Sequence, residues 1–304
     1  MARSRLTSTV AKGMRRLGLR SGPADAEALY DGAYFGAGRD PSGDRQGQSG
    51  YASYDRISSN ADIAAYLLWR NFRVTTSLDI GCATGFLVEA LRELGLEAQG
   101  SDISHYAVEH ATPGARGHLK VGNLLDGLPF ADGQFELVST LEILEHLPPA
   151  DVPQALREIR RVCAGVVYAT IPSFGRNASG PNGHYEGKVR PERLGHYNEL
   201  GLEFVGPLPE ADLEVDAQGG PIEGHLSIAS FGWWTDRFAE AGFTRRIDIE
   251  ERLYADLAPA DLAPFWNLYV FAVDGADPAL FTQREPERSL RELGLSHPLV
   301  DAGG

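Results

Sequence analysis

The sequence predicts an α/β fold, a doubly wound, mainly parallel sheet of seven strands with a long insertion after the fifth. Two observations carry this. Apolar strand-like runs alternate with helical patterns at a spacing that suits right-handed crossovers. Residues 77–85, Ser-Leu-Asp79-Ile-Gly81-Cys82-Ala-Thr-Gly85, also run from an apolar strand straight into a glycine-bearing loop. Phe86-Leu-Val-Glu-Ala-Leu-Arg-Glu-Leu94 follows with apolar residues at helical spacing. A strand–loop–helix unit of this kind turns helix N-terminal amides toward small charged ligands. A hydrophobic content of 43% in 304 residues is ample for a core.

The elements follow in order. Residues 1–57 form an N-terminal extension, of which 36–50 are Gly-, Asp- and Ser-rich and read as loop. Tyr34-Phe35-Gly36, Tyr51 and Tyr54 are expected to fold over the ligand as a cover. Ser58-Ser59-Asn60 supplies an N-cap for a helix to about Arg70. Strands are expected at 74–80, 97–102, 118–122, 135–140 and 166–171, with helices at 86–94, 104–111 and 151–162. Residues 172–229, rich in Gly, Pro and acids, leave the carboxyl edge of the sheet, where open α/β sheets bind ligands. A segment that long without periodicity reads as a ligand-binding lid, with a small antiparallel element around Leu202–Val205 and Leu213–Val215. A helix at 231–241, strands at 243–249 and 266–273, and a surface tail at 274–304 complete the chain.

Charge narrows the partners. The net charge is −14, yet Arg3, Arg5, Lys12, Arg15, Arg16 and Arg20 occupy the first twenty residues with no acid among them. The rest of the chain is therefore more acidic still and repels a phosphate backbone, which excludes nucleic acid as substrate. Leu6, Val10, Met14 and Leu17 share a helical face, which suits either a docked terminal helix or contact with an anionic surface. No apolar run is long enough to span a membrane, so stable insertion is not expected. Two cysteines, Cys82 and Cys163, make no disulfide framework, and a cytoplasmic setting is expected. A small-molecule acceptor and a second copy of the chain are the partners left open.

The loop after the first strand specifies its ligand further. A dinucleotide fingerprint requires G-x-G-x-x-G, whereas the spacing here is D-x-G-x-x-x-G with Ala83 at the second position. Asp102, ending the second strand, is placed to accept both hydroxyls of a ribose. Together these features resemble class I S-adenosyl-L-methionine (SAM)-dependent methyltransferases over roughly residues 58–273. The Leu-Pro-Phe turn at 128–130 and the Phe-Glu-Leu-Val run at 135–138 share in the resemblance. It implies a Rossmann-like sheet whose last strand runs antiparallel and SAM as cofactor. Asp79, Gly81, Cys82 and Gly85 would surround its methionine part, with Asp102 on the ribose, Ile103 against the adenine, Asn123 and Leu124 near the adenine amino group, and Leu141 at the end of the fourth strand. Cys82 has no neighbouring base in sequence and is read as packing within that loop, not as a nucleophile.

The fourth strand exits into Leu141-Glu142-Ile-Leu-Glu145-His146-Leu-Pro-Pro149. Were residues 142–147 one helical turn, Glu142, Glu145 and His146 would share a face at i, i+3 and i+4. E-x-x-E-H is similar to two metal-dependent groups of the family, the small-RNA 2′-O-methyltransferases and the O-methyltransferases of ubiquinone synthesis. The resemblance implies His225 as a fourth ligand, so that Glu142, Glu145, His146 and His225 would hold a divalent ion such as Mg or Mn. The ion would bind and acidify a hydroxyl for in-line attack on the methyl group. Without it, His146 or His225 would act as general base, with Glu145 beside them. Glu145 capping locally and His225 bonding within the lid are the structural alternatives.

His184, Tyr185, Arg190, His196 and Tyr197 in the lid, and Trp233 and Trp234 after it, suit a polyhydroxylated ring, although at least one of the two tryptophans is expected in the core. The expected function is SAM-dependent O-methylation of a small hydroxylated acceptor, a sugar or a sugar-bearing or phenolic metabolite. The alternatives are a metal-independent C- or N-methyltransferase with a histidine base, or a SAM-binding module without catalysis.

Overall fold

Five parallel strands, β1 (Thr76–Ile80), β2 (Glu97–Asp102), β3 (Leu119–Val121), β4 (Phe135–Leu141) and β5 (Cys163–Thr170), lie in the order 3-2-1-4-5. β9 (Leu268–Val273) pairs antiparallel with β5, and β8 (Phe243–Arg245) pairs antiparallel with β9 at the edge. The sheet thus has seven strands with the last in sequence reversed, as the sequence predicts. The computed structural model describes Arg56 and residues 59–215, 219–257 and 267–285. The basic N-terminus, the tyrosine-bearing cover, Ser58, Trp266 and the tail beyond 285 lie outside these residues.

Helices cover both faces because successive strand side chains alternate sides. One face packs α1 (Ala61–Asn71), α2 (Phe86–Glu93) and α7 (Ile247–Leu257) on Val166, Tyr168, Leu268 and Val270. The other packs α4 (Val152–Val162) and α6 (Phe231–Glu240) on Leu78, Val138, Val167, Tyr269 and Phe271. The short α3 (His105–Glu109) is capped by Ser104, whose side chain accepts from the Ala107 amide. Asn60 holds the N-cap position of α1 in a left-handed conformation, φ 53°, without a side-chain cap bond.

Three expectations are corrected. The strand at 243–249 stops at Arg245, and Ile247–Leu257 is helical. Ile247 and Ile249 alternate with polar residues as in a strand, but the Ile249 and Glu250 amides turn back to the Arg246 carbonyl. The fifth strand begins earlier than expected, at Cys163. The antiparallel element of the insertion does not form as expected. Leu202 lies in a 3-10 turn, while Leu213 bridges Val189 and Val215 bridges Pro221. The insertion instead carries α5 (Pro191–Leu200) and is closed at its base by a parallel pair, β6 (Ser173–Phe174) and β7 (Ala229–Ser230). Its own core is Phe174, Tyr185, Val189, Tyr197, Leu208, Leu213 and Ile228.

A buried ion pair ties the insertion to the sheet edge. Arg245 and Glu250, 7% and 0% exposed, approach to 2.8 Å. Arg245 also donates to Asn177 Oδ1 at 2.9 Å, and Ser179 Oγ donates to Glu250 Oε2.

Candidate active site

The parallel register sets Asp79 opposite Ser139. Ser139 Oγ donates to Asp79 Oδ1 at 2.7 Å, and the carboxylate is buried. Burial pushes the Asp79 carboxyl up to about 7; the Ser139 hydrogen bond works against the rise and the Asp102 charge adds to it. After Asp79 the chain turns sharply, with φ of +74° at Gly81, +47° at Ala83 and +89° at Gly85. A Cβ on Gly81 would stand 2.1 Å from Ile143 Cδ1, so this glycine lets the loop lie against the segment leaving β4.

Asp102 joins the first two strand ends. It accepts the Ala83 amide on Oδ2 and the Ser104 amide on Oδ1, both at 2.8 Å. The Gly81 and Cys82 amides donate to the Ser101 carbonyl at 2.8 and 3.2 Å. Those three loop amides are therefore spent within the protein, and the ligand-facing chemistry falls to the carboxylates. Cys82 is buried against Gly100, and burial raises its thiol well above the ordinary range. Ile103 is half-buried after Asp102, and Leu141 is half-buried at the end of β4. Leu124 is buried, while Asn123 holds its own turn, accepting from the Leu125 amide and donating to Asp126.

The site fits SAM. Among the described residues no cationic side chain comes within ion-pairing distance of Asp79, which suits a ligand ammonium. Asp102, its oxygens each already taking one amide, keeps further lone pairs for ribose hydroxyls.

Beyond β4, Glu142 takes φ 54° and Leu144–His146 form a single 3-10 turn. The expected helical turn is absent, so Glu142, Glu145 and His146 do not share a face. Glu142 is exposed and Glu145 is fully buried. The returning end of the insertion completes the arrangement. The Leu226 and Ser227 amides donate to the Glu145 carbonyl at 2.7 and 2.8 Å, and Ser227 Oγ donates to the Leu147 carbonyl. This clamp brings His225 Nε2 to 3.9 Å from Glu145 Oε1 and sets the two imidazoles 5.0 Å apart at 70°. His146 Nδ1 lies 3.3 Å from the Gly224 carbonyl, which can only accept, so Nδ1 is the donor in this contact. Burial, helped by the Lys188 charge, lowers the His225 pKa to about 4, so this imidazole is neutral at neutral pH.

One ligand atom from each of Glu145, His146 and His225 lies within 4.8 Å of the other two. A donor set of one carboxyl group and two imidazoles fits a borderline divalent cation better than Mg, which prefers oxygen. Glu142 is not in this group.

Other candidates are placed differently. Tyr185 and Tyr197 are buried, their hydroxyls donating to the Gly201 carbonyl and to Asp212, and they pack the insertion instead of facing a ligand. Trp234 is fully buried, and Trp233 is half-buried edge-on to it beneath Arg237. His196 is exposed against Tyr197, Arg190 is half-buried and His184 lines a cavity. Sequence reasoning missed Ser139, Gly100 and Lys188. Strand register would have found the first two; Lys188 gave no signal within an aperiodic segment.

The methyltransferase domain family matches residues 78–166. The probable methyltransferase ltbC of Aspergillus luteorubrus is 32% identical over 65% of this chain and 74% of its own length. The chain therefore belongs to the SAM-dependent methyltransferases. A ubiquinone biosynthesis O-methyltransferase of Methylococcus capsulatus is 33% identical over 31% of this chain. Norajmaline N-methyltransferase of Rauvolfia serpentina is 32% identical over 34%. The chain spans only 43% and 38% of these two relatives. Among solved structures, magnesium protoporphyrin IX methyltransferase from Synechocystis PCC 6803 aligns over 83% of this chain and 100% of its own, at 14% identity and a TM-score of 0.45.

Proposed function

We propose that this protein transfers the methyl group of SAM to a hydroxyl of a small hydroxylated acceptor, a sugar or a sugar-bearing or phenolic compound. The observation that carries the reading is the convergence of Glu145, His146 and His225 beside the cofactor loop. O- and N-methyltransferases both match the cofactor half of the chain, so the match does not choose the acceptor atom. A proton-accepting cluster supports a hydroxyl acceptor, because a hydroxyl must lose its proton to become a good nucleophile.

SAM supplies an electrophilic methyl group on a sulfonium. Asp79 would hold its ammonium, and Asp102 its ribose. His225, neutral and half-buried, would take the hydroxyl proton, and the buried Glu145 carboxylate would stabilise the imidazolium that forms. His146, its Nδ1 turned to the Gly224 carbonyl, would line the acceptor site beside His225. The glycine-tight contact between loop and turn would hold the acceptor oxygen near the methyl group.

A second reading rests on the 4.8 Å cluster. Glu145, His146 and His225 would hold a divalent ion, which would lower the pKa of the hydroxyl. The test is turnover of SAM with catechols, phenolic acids and sugars by the wild type, E145Q and H225A, alongside SAM affinity. Loss of turnover with SAM binding retained supports the reading, whereas unchanged turnover removes it.

A further inference from the structure

A cavity of about 140 Å³ opens between the insertion and the carboxyl edge of the sheet. It has room for roughly ten water-sized positions, enough for a small polar group. Ser173, Asn182, His184, Lys188, Phe231 and Asn267 line it. Lys188 also lines a smaller crevice together with His225, so it borders both spaces. The Lys188 backbone is fixed, its amide donating to the Tyr185 carbonyl and its carbonyl accepting from Glu214.

Several other cations in this part of the fold have a carboxylate, although Arg190, whose buried Nε has no hydrogen-bond partner, is not among them. Arg193 pairs with Asp212, Arg245 with Glu250 and Arg246 with Asp248. Among the described residues, no carboxylate lies within ion-pairing distance of the half-buried Lys188. Glu142 acts on it only at longer range, and Glu214 lines the crevice behind it. Burial lowers the Lys188 pKa, the mark of an ammonium losing water without full compensation. In a chain of net charge −14, an anionic ligand would need such a local cation to enter.

We propose that the acceptor carries an anionic oxyacid group, a carboxylate or a phosphate, that seats on Lys188 in this cavity while its hydroxyl reaches the Glu145–His225 pair. The inference rests on the O-methylation reading for what the hydroxyl does, but the anion seat is testable by binding alone. Asn182 and Asn267 line the same cavity with side-chain amides, and Phe231 lines it with an aromatic ring.

The test measures binding to the wild type, K188M and K188R saturated with S-adenosylhomocysteine, using matched pairs. These are 3,4-dihydroxybenzoate against 3,4-dihydroxybenzamide, glucuronate against glucose, and glucose 6-phosphate against glucose; the same compounds are then offered with SAM. The wild type should prefer the anion of at least one pair by about tenfold or more, the size of one charge-assisted hydrogen bond. K188M should lose that preference while retaining S-adenosylhomocysteine affinity and thermal stability, and K188R should keep most of it. Which pair responds separates carboxylate from phosphate. Anion preference without methylation of any compound would keep the seat and remove the hydroxyl reading. Equal binding within every pair, no binding of any compound, or a preference that survives in K188M would overturn the proposal.

Discussion

His225 Nε2 stands 3.9 Å from Oε1 of the fully buried Glu145, although Glu145 lies in the turn after β4 and His225 near the returning end of the insertion. Two backbone amides following His225 grip the carbonyl of Glu145 itself, so the pair is held by main chain as well as by side chains. A carboxyl group buried that deeply beside two imidazoles is the kind of arrangement that a proton-transfer or metal site uses.

Removing the His225 imidazole should cut methyl transfer by about 10²- to 10⁴-fold, the range of a general base. SAM affinity should stay within a few-fold, because His225 lies on the insertion and not on the cofactor loop. Calorimetry with SAM and rates of S-adenosylhomocysteine release check the two halves separately.

SAM binding should depend on pH through Asp79. Its carboxyl is raised from an unfolded value of about 4 to about 7. The ligand-free fold therefore loses stability from this group as pH rises across that window. A SAM ammonium stays charged over the same range and pairs only with the ionised form, so affinity should rise with pH and level off above about 7. D79N should bind weakly and without this pH dependence; a wild-type affinity that is flat from pH 5.5 to 8 would contradict the assignment.

The metal reading requires that analysis of the purified protein find a divalent ion that E145A and H225A lose and E142A keeps. Turnover that survives EDTA, with no ion recovered, would leave His225 as the base acting alone.

G81A should destabilise the protein by about 2–4 kcal/mol, combining left-handed backbone strain with overpacking. The added Cβ would meet Ile143 Cδ1 at 2.1 Å. I143A in the same background should recover the packing part and not the backbone part. Thermal unfolding of the two variants separates them.

E250A should cost about 3–5 kcal/mol, since it strands a buried Arg245 and frees the Val270 amide that Glu250 Oε1 accepts at 2.9 Å. Replacing both charges together, R245M/E250M, should cost less than E250A alone. Urea unfolding midpoints check this.

Most of the sheet was legible because strand-like runs alternate with helical patterns at regular spacing; Glu97–Asp102 has the predicted bounds although its residues are mostly polar. Asp79 stood out as an acid within an apolar run, and Asp102 as the acid that ends the next strand after the glycine loop. The E-x-x-E-H turn was legible as a cluster but not in its geometry. A left-handed Glu142 followed by a 3-10 turn sends one acid to solvent and the next inward, and residue spacing carries no record of that choice. The insertion was least legible. Its helix, Pro191–Leu200, buries little beyond Tyr197, so no apolar stripe announces it. Lys188 acquires its setting only from chain segments far away in sequence.

The most direct test uses SAM labelled with carbon-13 in its methyl group, incubated with the hydroxylated anionic panel and followed by NMR. The label should appear as a methoxy carbon in the wild type and be lost in E145Q and H225A, both of which still bind SAM. Label arriving on nitrogen or carbon, or variants that transfer it at the wild-type rate, would contradict the account.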